Sequence, residues 1–367
     1  MLDLQGLILA LYALLSLVLP LPVRWYKRLL LVPFVLALGL KYHIYREVGG
    51  VMSPNLPPYV LLTLEALYGS LMLMVFFCLI KDVTGVLLFV LKRLLNLNFK
   101  VPRLALHALI ATVSLALGFY GTFQQLNAPA VKEVTVTFPD LPPELDGLKI
   151  VQLTDLHIGP ILRGDFIDAV VSKTNALKPD LVVITGDFVD GSTERLASEF
   201  DGLRHLKAPL GVYGVTGNHE YYSGAGAWVK ALEERQVRML MNEHVVLKHH
   251  GADFILAGIE DRRGRPDLKA AFRDSPEGLI SLLLSHEPSD GMRHKVASLT
   301  LAGHTHGGTM FFLQPLIASY NGGFVSGLYA EDPEHLLYVS NGTGIWSGFS
   351  CRFLVPPEIT LLTLKAS

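Results

Sequence analysis

Apolar positions divide the chain into two parts with different patterns. Before about residue 125 the apolar residues form long, almost uninterrupted runs, whereas later runs are short and separated by Gly, Pro and polar residues. Long runs are typical of membrane-spanning helices, and short bounded runs are typical of buried strands in a globular domain. We therefore expect a transmembrane domain over residues 1–125, a linker with the first strand over 126–147, and a globular domain over 148–367.

Four apolar segments are candidates for membrane-spanning helices: Leu4 to Val23, Leu29 to Tyr45, Pro58 to Ile80, and Leu104 to Phe123. The second is the weakest, because a lysine and a proline interrupt it. The stretch Val83 to Leu95 is apolar but too short to span, and it ends with two basic residues. We expect it to form a separate helix at the membrane interface.

Basic residues between these segments predict the orientation of the chain. They fall in two connections and are Arg24, Lys27 and Arg28 in the first, and Lys81, Lys92, Arg93, Lys100 and Arg103 in the second. Positively charged loops stay on the cytoplasmic side. We expect a multi-pass protein of the inner or plasma membrane, with its globular domain outside the cytoplasm. No basic segment precedes the first apolar run, which argues against a cleaved signal peptide.

The globular part alternates strand and helix patterns and then becomes rich in strands. Predicted helices cover Phe166 to Leu177 and Glu194 to Leu206. Predicted strands cover Val131 to Phe138, Leu148 to Leu153, Leu181 to Thr185, Val212 to Thr216, Phe254 to Ile259, Leu279 to Leu284, Leu299 to Leu301, Leu336 to Val339, and Ile359 to Leu364. This order predicts an α/β fold, a layered sandwich with helices outside.

Five short motifs place Asp, Asn or His where a strand should end. They read Thr154-Asp155-Leu156-His157, Thr185-Gly186-Asp187, Gly217-Asn218-His219-Glu220, Ser285-His286-Glu287, and Gly303-His304-Thr305-His306-Gly307-Gly308. A single motif, such as Gly186-Asp187, is more typical of an ordinary turn. Open α/β sheets bind ligands at the carboxyl ends of their strands, so five such motifs together predict one metal site.

Carboxylates mixed with imidazoles favour two divalent cations, and Mn²⁺, Fe²⁺ and Zn²⁺ all suit such ligands. Two cations about 3.5–4 Å apart neutralise phosphoryl oxygens and turn a bridging water into a nucleophile at neutral pH. The motifs therefore predict metal-dependent hydrolysis of a phosphate ester. A net charge of -2 argues against a nucleic-acid-binding surface.

These five motifs, in this order, resemble those of the calcineurin-like metallophosphoesterases, over about Leu148 to Leu364. The resemblance implies a four-layer α/β/β/α sandwich and a dinuclear site. It implies that the first metal is held by Asp155, His157 and His306, that the second is held by Asn218, His286 and His304, and that Asp187 bridges them. It also implies that His219 is a non-ligand catalytic residue that contacts the phosphoryl oxygen or protonates the leaving group.

The sequence is similar in detail to a membrane-anchored bacterial subgroup and to eukaryotic transmembrane members. The shared features are the loop Val325 to Tyr329 and the ending Pro356 to Leu361, whereas Thr309 stands where this subgroup usually has Gln. The anchor predicts a membrane lipid or lipid-linked phosphate ester as substrate. If the substrate is different, the alternative is a UDP-2,3-diacylglucosamine-type pyrophosphatase. If the protein is not an enzyme, the alternative is a membrane sensor or scaffold whose metallophosphoesterase fold only binds.

The sequence allows two roles for each of several further side chains. Asp190 and Glu220 are candidates to orient the metal-binding histidines, although Glu220 also suits a surface or capping position. Arg352 suits either a substrate phosphate or a structural ion pair. Glu65 and His107 inside apolar runs mark either a functional site or helix packing. Four aromatic residues form either an apolar rim for a lipid or part of the core: Phe311, Phe312, Trp346 and Phe349.

Overall fold

A computed structural model describes residues 2–96, 101–292, 295–332 and 334–367. The chain forms two compact units. The helical unit contains the residues up to Gln124 together with Ser347–Phe353. The second unit contains Gln125–Trp346 and Leu354–Ser367 and holds both sheets. The assignment of a short C-terminal segment to the helical unit was not predicted.

Among the described residues, five α-helices build the helical unit: α1 Leu2–Ala13, α2 Trp25–Gly39, α3 Lys41–Glu47, α4 Pro58–Leu95, and α5 Arg103–Phe123. Within the described residues, α4 and α5 are long and apolar enough to cross a membrane. Helices α2 and α3 pass the same test only as one span bent by 61°. The first apolar helix, Leu2–Val18, is shorter, because Pro20 and Pro22 follow it. Four spans were expected; the structure provides two, or three with the bent pair.

The expectation of a separate interfacial helix over Val83 to Leu95 is wrong. This stretch is the second half of α4, which runs for 38 residues without a break. The charged residues before it do not end the helix, because both have partners on the first helix. Lys81 Nζ donates to Ser16 O (2.9 Å), and Asp82 accepts from Tyr12 Oη (2.7 Å). The helix ends at Asn96, whose left-handed backbone (φ 51°) is a common way to terminate a helix.

A buried ion pair lies inside the helical unit. Lys41 Nζ donates to Glu65 Oε1 (2.9 Å) and to Gly348 O (2.7 Å). Glu65 also accepts from Tyr45 Oη (2.7 Å) and from Ser350 N (3.0 Å). Both charges are therefore neutralised and hydrogen-bonded, as buried charges require. This arrangement supports the packing interpretation of Glu65, because it joins two helices to the segment Ser347–Phe353.

In the described part of the second unit, twelve strands form two six-stranded sheets. The first sheet has the order β1-β12-β2-β3-β4-β5, and the second has the order β10-β11-β9-β8-β7-β6. The strands are β1 Val131–Phe138, β2 Lys149–Leu153, β3 Leu181–Thr185, β4 Val212–Val215, β5 Arg238–Met239, β6 Glu243–His249, β7 Ala252–Gly258, β8 Ser281–Leu284, β9 Leu299–Ala302, β10 Gly327–Asp332, β11 His335–Val339, and β12 Ile359–Ala366.

Seven α-helices accompany these sheets where the structure describes the chain: α6 Gly164–Ala176, α7 Thr193–Leu196, α8 Asn218–Ser223, α9 Ala225–Glu233, α10 Leu268–Ala271, α11 Pro288–Gly291, and α12 Gln314–Tyr320. Side chains of both sheets share one apolar cluster, in which Ile150 and Leu181 of the first sheet meet Leu282 and Leu301 of the second. The opposite face of the first sheet packs against α6 and α9, and that of the second packs against α10. These layers confirm the predicted α/β/β/α sandwich.

Three strands and one helix differ from the sequence-based expectation. Strands β6 and β10 lie at sheet edges, where half of the side chains face water, and β5 has only two residues. Such strands lack the continuous apolar run that identifies a central strand. The helix expected over Glu194 to Leu206 is a short α7 followed by a 3₁₀ segment over Ala197–His205.

Candidate metal centre

All five motifs begin where a strand of one of the sheets ends. β2, β3 and β4 lead to the first three motifs, and β8 and β9 lead to the last two. Five non-glycine residues of the motifs have left-handed backbone conformations: Asp155 (φ 52°), His157 (47°), Asp187 (52°), His304 (70°) and His306 (49°). Such conformations are uncommon outside glycine and concentrate at functional sites. The sharp turns aim successive side chains at one point instead of continuing the strand.

Three side chains from the first and last motifs converge on one point. His306 Nε2 lies 3.1 Å from His157 Nε2 and 3.5 Å from Asp155 Oδ1. His157 Nε2 and Asp155 Oδ1 are 4.0 Å apart. One ligand atom from each residue can therefore reach a common metal ion. The structure brings these three predicted ligands together.

A second convergence point lies on the other side of Asp187. Asp187 Oδ2 is 3.1 Å from His286 Nε2 and 3.8 Å from His157 Nε2, so the same oxygen faces both points. His286 Nε2 is also 3.2 Å from His304 Nδ1 and 3.2 Å from Asn218 Oδ1. All seven predicted metal ligands thus lie around two adjacent points that share the Asp187 carboxylate.

Hydrogen bonds on the outer side of the imidazoles show that these atoms suit a cation. His286 Nδ1 donates to the Thr185 carbonyl (2.8 Å), which leaves the Nε2 of a neutral ring with a lone pair. That lone pair faces two further acceptors, Asn218 Oδ1 and Asp187 Oδ2. His157 repeats the arrangement, since its Nδ1 donates to Asp190 Oδ1 (3.1 Å). Converging acceptors repel one another unless a cation lies between them, so the residues present fit divalent metal ions.

Asp190 supports two imidazoles with a single oxygen. Its Oδ1 accepts from His157 Nδ1 and from His219 Nδ1, the latter at 2.5 Å. Burial by itself raises the pKa of Asp190, but the two imidazoles outweigh it and hold the pKa below its usual value. Burial lowers the pKa of His219, but the carboxylates of Asp187 and Asp190 outweigh that effect and raise it to about 9. Asp190, one of the two orienting candidates, therefore contacts both a predicted ligand and the predicted catalytic histidine.

His219 also lies close to the Asp187 carboxylate, at a distance that two ligands of one metal ion could have. Its Nε2 is 3.9 Å from Asp187 Oδ2, and its ring groups geometrically with His157 and Asp187. Two aromatic rings flank it edge-on, Tyr222 with a centroid distance of 5.4 Å and Trp346 with 5.8 Å. The imidazole is therefore held in one orientation beside the predicted metal points, and its Nε2 faces the centre.

Glu220 is fully buried beneath the site, so the surface interpretation is wrong and the capping interpretation is correct. Its carboxylate accepts from four backbone N–H groups, those of Gly217 (2.7 Å), Asp187 (3.0 Å), Phe188 (2.7 Å) and Val189 (3.3 Å). The hydrogen bond from Gly217 belongs to a capping box at the start of α8. Glu220 therefore fixes the loop of Asp187 to the loop of Asn218.

Close backbone approach explains a glycine of this site. A Cβ atom at Gly217 would lie 2.2 Å from Asp187 Oδ1 and 2.5 Å from Asp187 N. Real Cβ atoms do not approach so closely, and neither atom belongs to a flexible side-chain end that could move away without cost. Only glycine at this position leaves the Asp187 carboxylate where it is.

The remaining predicted side chains have different surroundings. Arg352 is buried, and its backbone N–H donates to Gly121 O (3.0 Å) in the helical unit. Its contact with substrate stays a prediction. Phe349 packs edge-on against Tyr68 in the same unit, with a centroid distance of 6.1 Å. Trp346 contacts His219 in the second unit.

Sequence reasoning missed two elements beside His219. The first is Tyr222, four residues after Asn218 on α8. The second is the loop Glu260-Asp261-Arg262-Arg263, which follows β7. This loop is a polar cluster at the end of an apolar run, the same signal that identified the five motifs. It lacks histidine, so it does not have the pattern of a metal-binding motif.

Comparisons with known proteins agree with this geometry. A family model described as calcineurin-like phosphoesterase matches residues 148–308. An uncharacterised metallophosphoesterase of Helicobacter pylori is 35% identical over 68% of this chain and 70% of the relative. One of Campylobacter jejuni is 34% identical over 72% and 71%. A protein of Danio rerio named "Transmembrane protein with metallophosphoesterase domain" is 36% identical over 70% of this chain and 62% of that protein.

Proposed function

This chain belongs to the calcineurin-like phosphoesterases, and from that premise we propose that it hydrolyses a phosphate ester of a membrane lipid or lipid-linked compound with two divalent cations. One observation carries the proposal. Asp187 Oδ2 faces both His157 Nε2 (3.8 Å) and His286 Nε2 (3.1 Å), so one carboxylate oxygen serves two groups of ligand atoms. A bridging carboxylate is what a pair of adjacent cations requires.

The assignment of ligands follows from the two convergence points. Asp155, His157 and His306 would hold one cation; Asn218, His286 and His304 would hold the other, with Asp187 shared. When bound, the two cations supply Lewis acidity towards the phosphoryl oxygens and a nucleophilic hydroxide at neutral pH. The ligands do not select among Mn²⁺, Fe²⁺ and Zn²⁺.

His219 is the proposed acid for the leaving group. Hydrolysis forms a bond from a water oxygen to phosphorus and breaks the bond to the ester oxygen, which needs a proton as it departs. His219 can supply that proton as an imidazolium, which has an N–H on both ring nitrogens: Nδ1–H donates to Asp190 Oδ1 (2.5 Å), and Nε2–H is available to the departing oxygen. The pKa of about 9 keeps the ring in this protonated form at neutral pH. A positioned acid of this kind contributes about 10²–10⁴-fold in typical enzymes. Asp190 acts as a positioning residue.

Two findings support a substrate in the membrane. Helices α4 and α5 are each long and apolar enough to span a bilayer. Relatives from Danio rerio and Bos taurus, both 36% identical, are named as transmembrane proteins. Confining an enzyme and its substrate to one plane raises their encounter rate. The basic residues between the apolar segments favour a multi-pass arrangement with the phosphoesterase unit outside the cytoplasm.

The test uses full-length protein purified in detergent, loaded with Mn²⁺ and incubated with a total membrane lipid extract. Phosphorus-containing lipids are followed by mass spectrometry, and Asp187→Asn serves as the blank. We expect one lipid class to be consumed by the wild type alone, and the mass that is lost identifies the bond that breaks. Hydrolysis of a simple aryl phosphodiester with every lipid unchanged would contradict a lipid substrate.

Two outcomes would favour the alternatives. Metal binding without turnover of any ester would support a membrane sensor and contradict an enzyme. A reporter fused after Leu364 that is active only in the cytoplasm would contradict the proposed orientation. Cleavage of a UDP-2,3-diacylglucosamine-type nucleotide lipid requires an active site in the cytoplasm. A cytoplasmic reporter would therefore favour this pyrophosphatase activity over the proposed one.

A further inference from the structure

The loop after β7 brings a cationic side chain against Tyr222, whose ring in turn contacts the ring of the proposed acid. Asp261, Arg262 and Arg263 follow the strand after two intervening residues, and Arg262–Gly264 form one 3₁₀ turn. The Asp261 side chain, itself buried, caps this turn by accepting from Arg263 N (2.9 Å). The backbone of Arg263 is therefore fixed by an internal hydrogen bond.

The same loop is held from two sides. On one side, Tyr221 Oη of α8 donates to Glu260 Oε2 (2.7 Å). A Cβ atom at Gly264 would lie 1.7 Å from that hydroxyl, so the loop packs directly on α8. On the other side, Arg262 binds Asp290 through Nε (3.1 Å) and Nη2 (2.7 Å). These contacts fix the loop between the motif that contains Asn218 and the segment that follows His286.

Arg262 and Arg263 are adjacent but have opposite surroundings. Arg262 Nη2 pairs with Glu287 (2.6 Å) as well as with Asp290, so its charge is neutralised. Arg263 has no carboxylate within 4 Å of its guanidinium among the residues that the structure describes. Its guanidinium carbon instead lies 4.5 Å from the centre of the Tyr222 ring, on the exposed side of the protein. A cation on an aromatic face keeps its N–H donors available to an anion.

Tyr222 links this cation to the proposed acid. Its ring is 5.4 Å from the ring of His219, and it is 43% exposed. The two centroid distances place the Arg263 guanidinium no more than about 10 Å from the His219 ring. A leaving group that takes its proton from His219 would extend along Tyr222, and a substituent a few bonds further would reach Arg263.

We propose that Arg263 and Tyr222 form a binding subsite for a second anionic group, a phosphate or a carboxylate, carried by the leaving group of the substrate. This inference rests on the proposed function, because it takes His219 as the acid that protonates the leaving oxygen. A guanidinium binds phosphate or carboxylate through paired N–H donors. The subsite therefore favours pyrophosphate-type esters, and phosphodiesters whose departing alcohol carries an anionic group. Esters whose leaving group carries no such group should be poorer substrates.

The test compares one variant on two matched esters. Full-length protein in detergent, loaded with Mn²⁺, is assayed with methyl phenyl phosphate and with methyl 4-carboxyphenyl phosphate. Each variant is expressed relative to wild type on the same ester, so differences in intrinsic reactivity cancel. We expect Arg263→Ala to lower kcat/KM about 10- to 100-fold on the carboxylated ester, the range of one charge-assisted contact, and less than threefold on the phenyl ester. Arg263→Lys should retain part of the preference.

Arg273→Ala is the matched control, because it removes another exposed arginine of the same unit. It should leave both ratios unchanged. An equal loss on both esters with Arg263→Ala, or no loss on either, would overturn the subsite. Diacylglycerol pyrophosphate in mixed micelles and a soluble nucleoside diphosphate sugar then show whether the second anion belongs to a lipid or to a soluble compound.

Failure of the proposed function gives a different result. If wild type hydrolyses neither ester, the phosphoesterase proposal is contradicted, and the subsite is judged by binding alone. Calorimetry with phenylphosphonate and 4-carboxyphenylphosphonate provides that measurement. A preference for the carboxylated ligand that Arg263→Ala abolishes keeps the subsite, and equal binding of the two ligands by wild type overturns it.

Discussion

Replacement of Asp190 by Asn is the most informative single change at this centre. The side chain keeps its size, but the oxygen that accepts from His157 Nδ1 (3.1 Å) and His219 Nδ1 (2.5 Å) loses its charge. Hydrogen bonds to ionised groups are about twice as strong as those between neutral groups. The change should loosen the orientation of His157, a predicted ligand, and at the same time make the protonated form of His219 less stable.

The size of the effect follows from this double contact. Loss of an outer partner of a metal-binding histidine typically costs about 10–100-fold in metal affinity or activity. Two imidazoles depend on one oxygen, so we expect kcat/KM to fall about 10²–10⁴-fold, or about 2.7–5.5 kcal/mol of transition-state stabilisation. The assay is hydrolysis of an aryl phosphodiester at saturating Mn²⁺, with metal content and the thermal midpoint measured alongside. Asp165→Asn, an exposed carboxylate on α6, is the control.

A double-mutant cycle tests the reasoning itself. If Asp190 acts partly through His219, then Asp190→Asn combined with His219→Ala should lose less activity than the product of the single effects. An Asp190→Asn enzyme within about threefold of wild type would refute the account. Fully multiplicative losses would also refute it, since they would mean that Asp190 acts independently of His219.

Three further changes test other parts of the structure. Gly217→Ala places a Cβ atom 2.2 Å from Asp187 Oδ1, so we expect most of the bound metal to be lost; unchanged metal content by elemental analysis would contradict the close approach. Glu220→Gln puts an amide N–H opposite backbone donors and should destabilise the second unit by about 2–4 kcal/mol in thermal unfolding, whereas exposed Glu243→Gln should not. Lys41→Met leaves the buried Glu65 carboxylate without its cation and should lower the free energy of unfolding by about 3–5 kcal/mol. Adding Glu65→Gln removes the unpaired charge and should recover part of that loss. Equal stability of the single and double variants would contradict a cost of the unpaired carboxylate.

The central strands and the metal centre could be predicted because each carries its own local signal. β3 and β8 are mostly apolar runs that end directly before Gly186 and Ser285, and β2, whose apolar residues are interrupted by Gln152, ends directly before Thr154-Asp155. Parallel neighbours bring together the ends of β2, β3 and β4 in the first sheet and those of β8 and β9 in the second. The strand ends that the sequence marks therefore account for two groups of ligands, and the packing of one sheet on the other brings the two groups together.

Other features depend on contacts that no local pattern contains. Whether Glu220 faces water or four backbone N–H groups depends on the loop of Asp187, about 30 residues earlier. The length of α4 depends on partners that Lys81 and Asp82 find on the first helix, more than 60 residues away. The stacking of Arg263 on Tyr222 likewise joins a loop to helix α8, two parts of the chain that are distant in sequence. Such pairings follow from the tertiary fold.

The central claim is that two cations share the Asp187 carboxylate, and metal content measures it most directly. Elemental analysis of purified, Mn²⁺-loaded full-length protein should give about two ions per chain for wild type. Loss of a ligand from one group, with His286→Ala or His306→Ala, should reduce the content to about one ion. Asp187→Asn should reduce it further, because both groups lose the same oxygen. A single ion in wild type, or a content that Asp187→Asn leaves unchanged, would contradict the shared carboxylate.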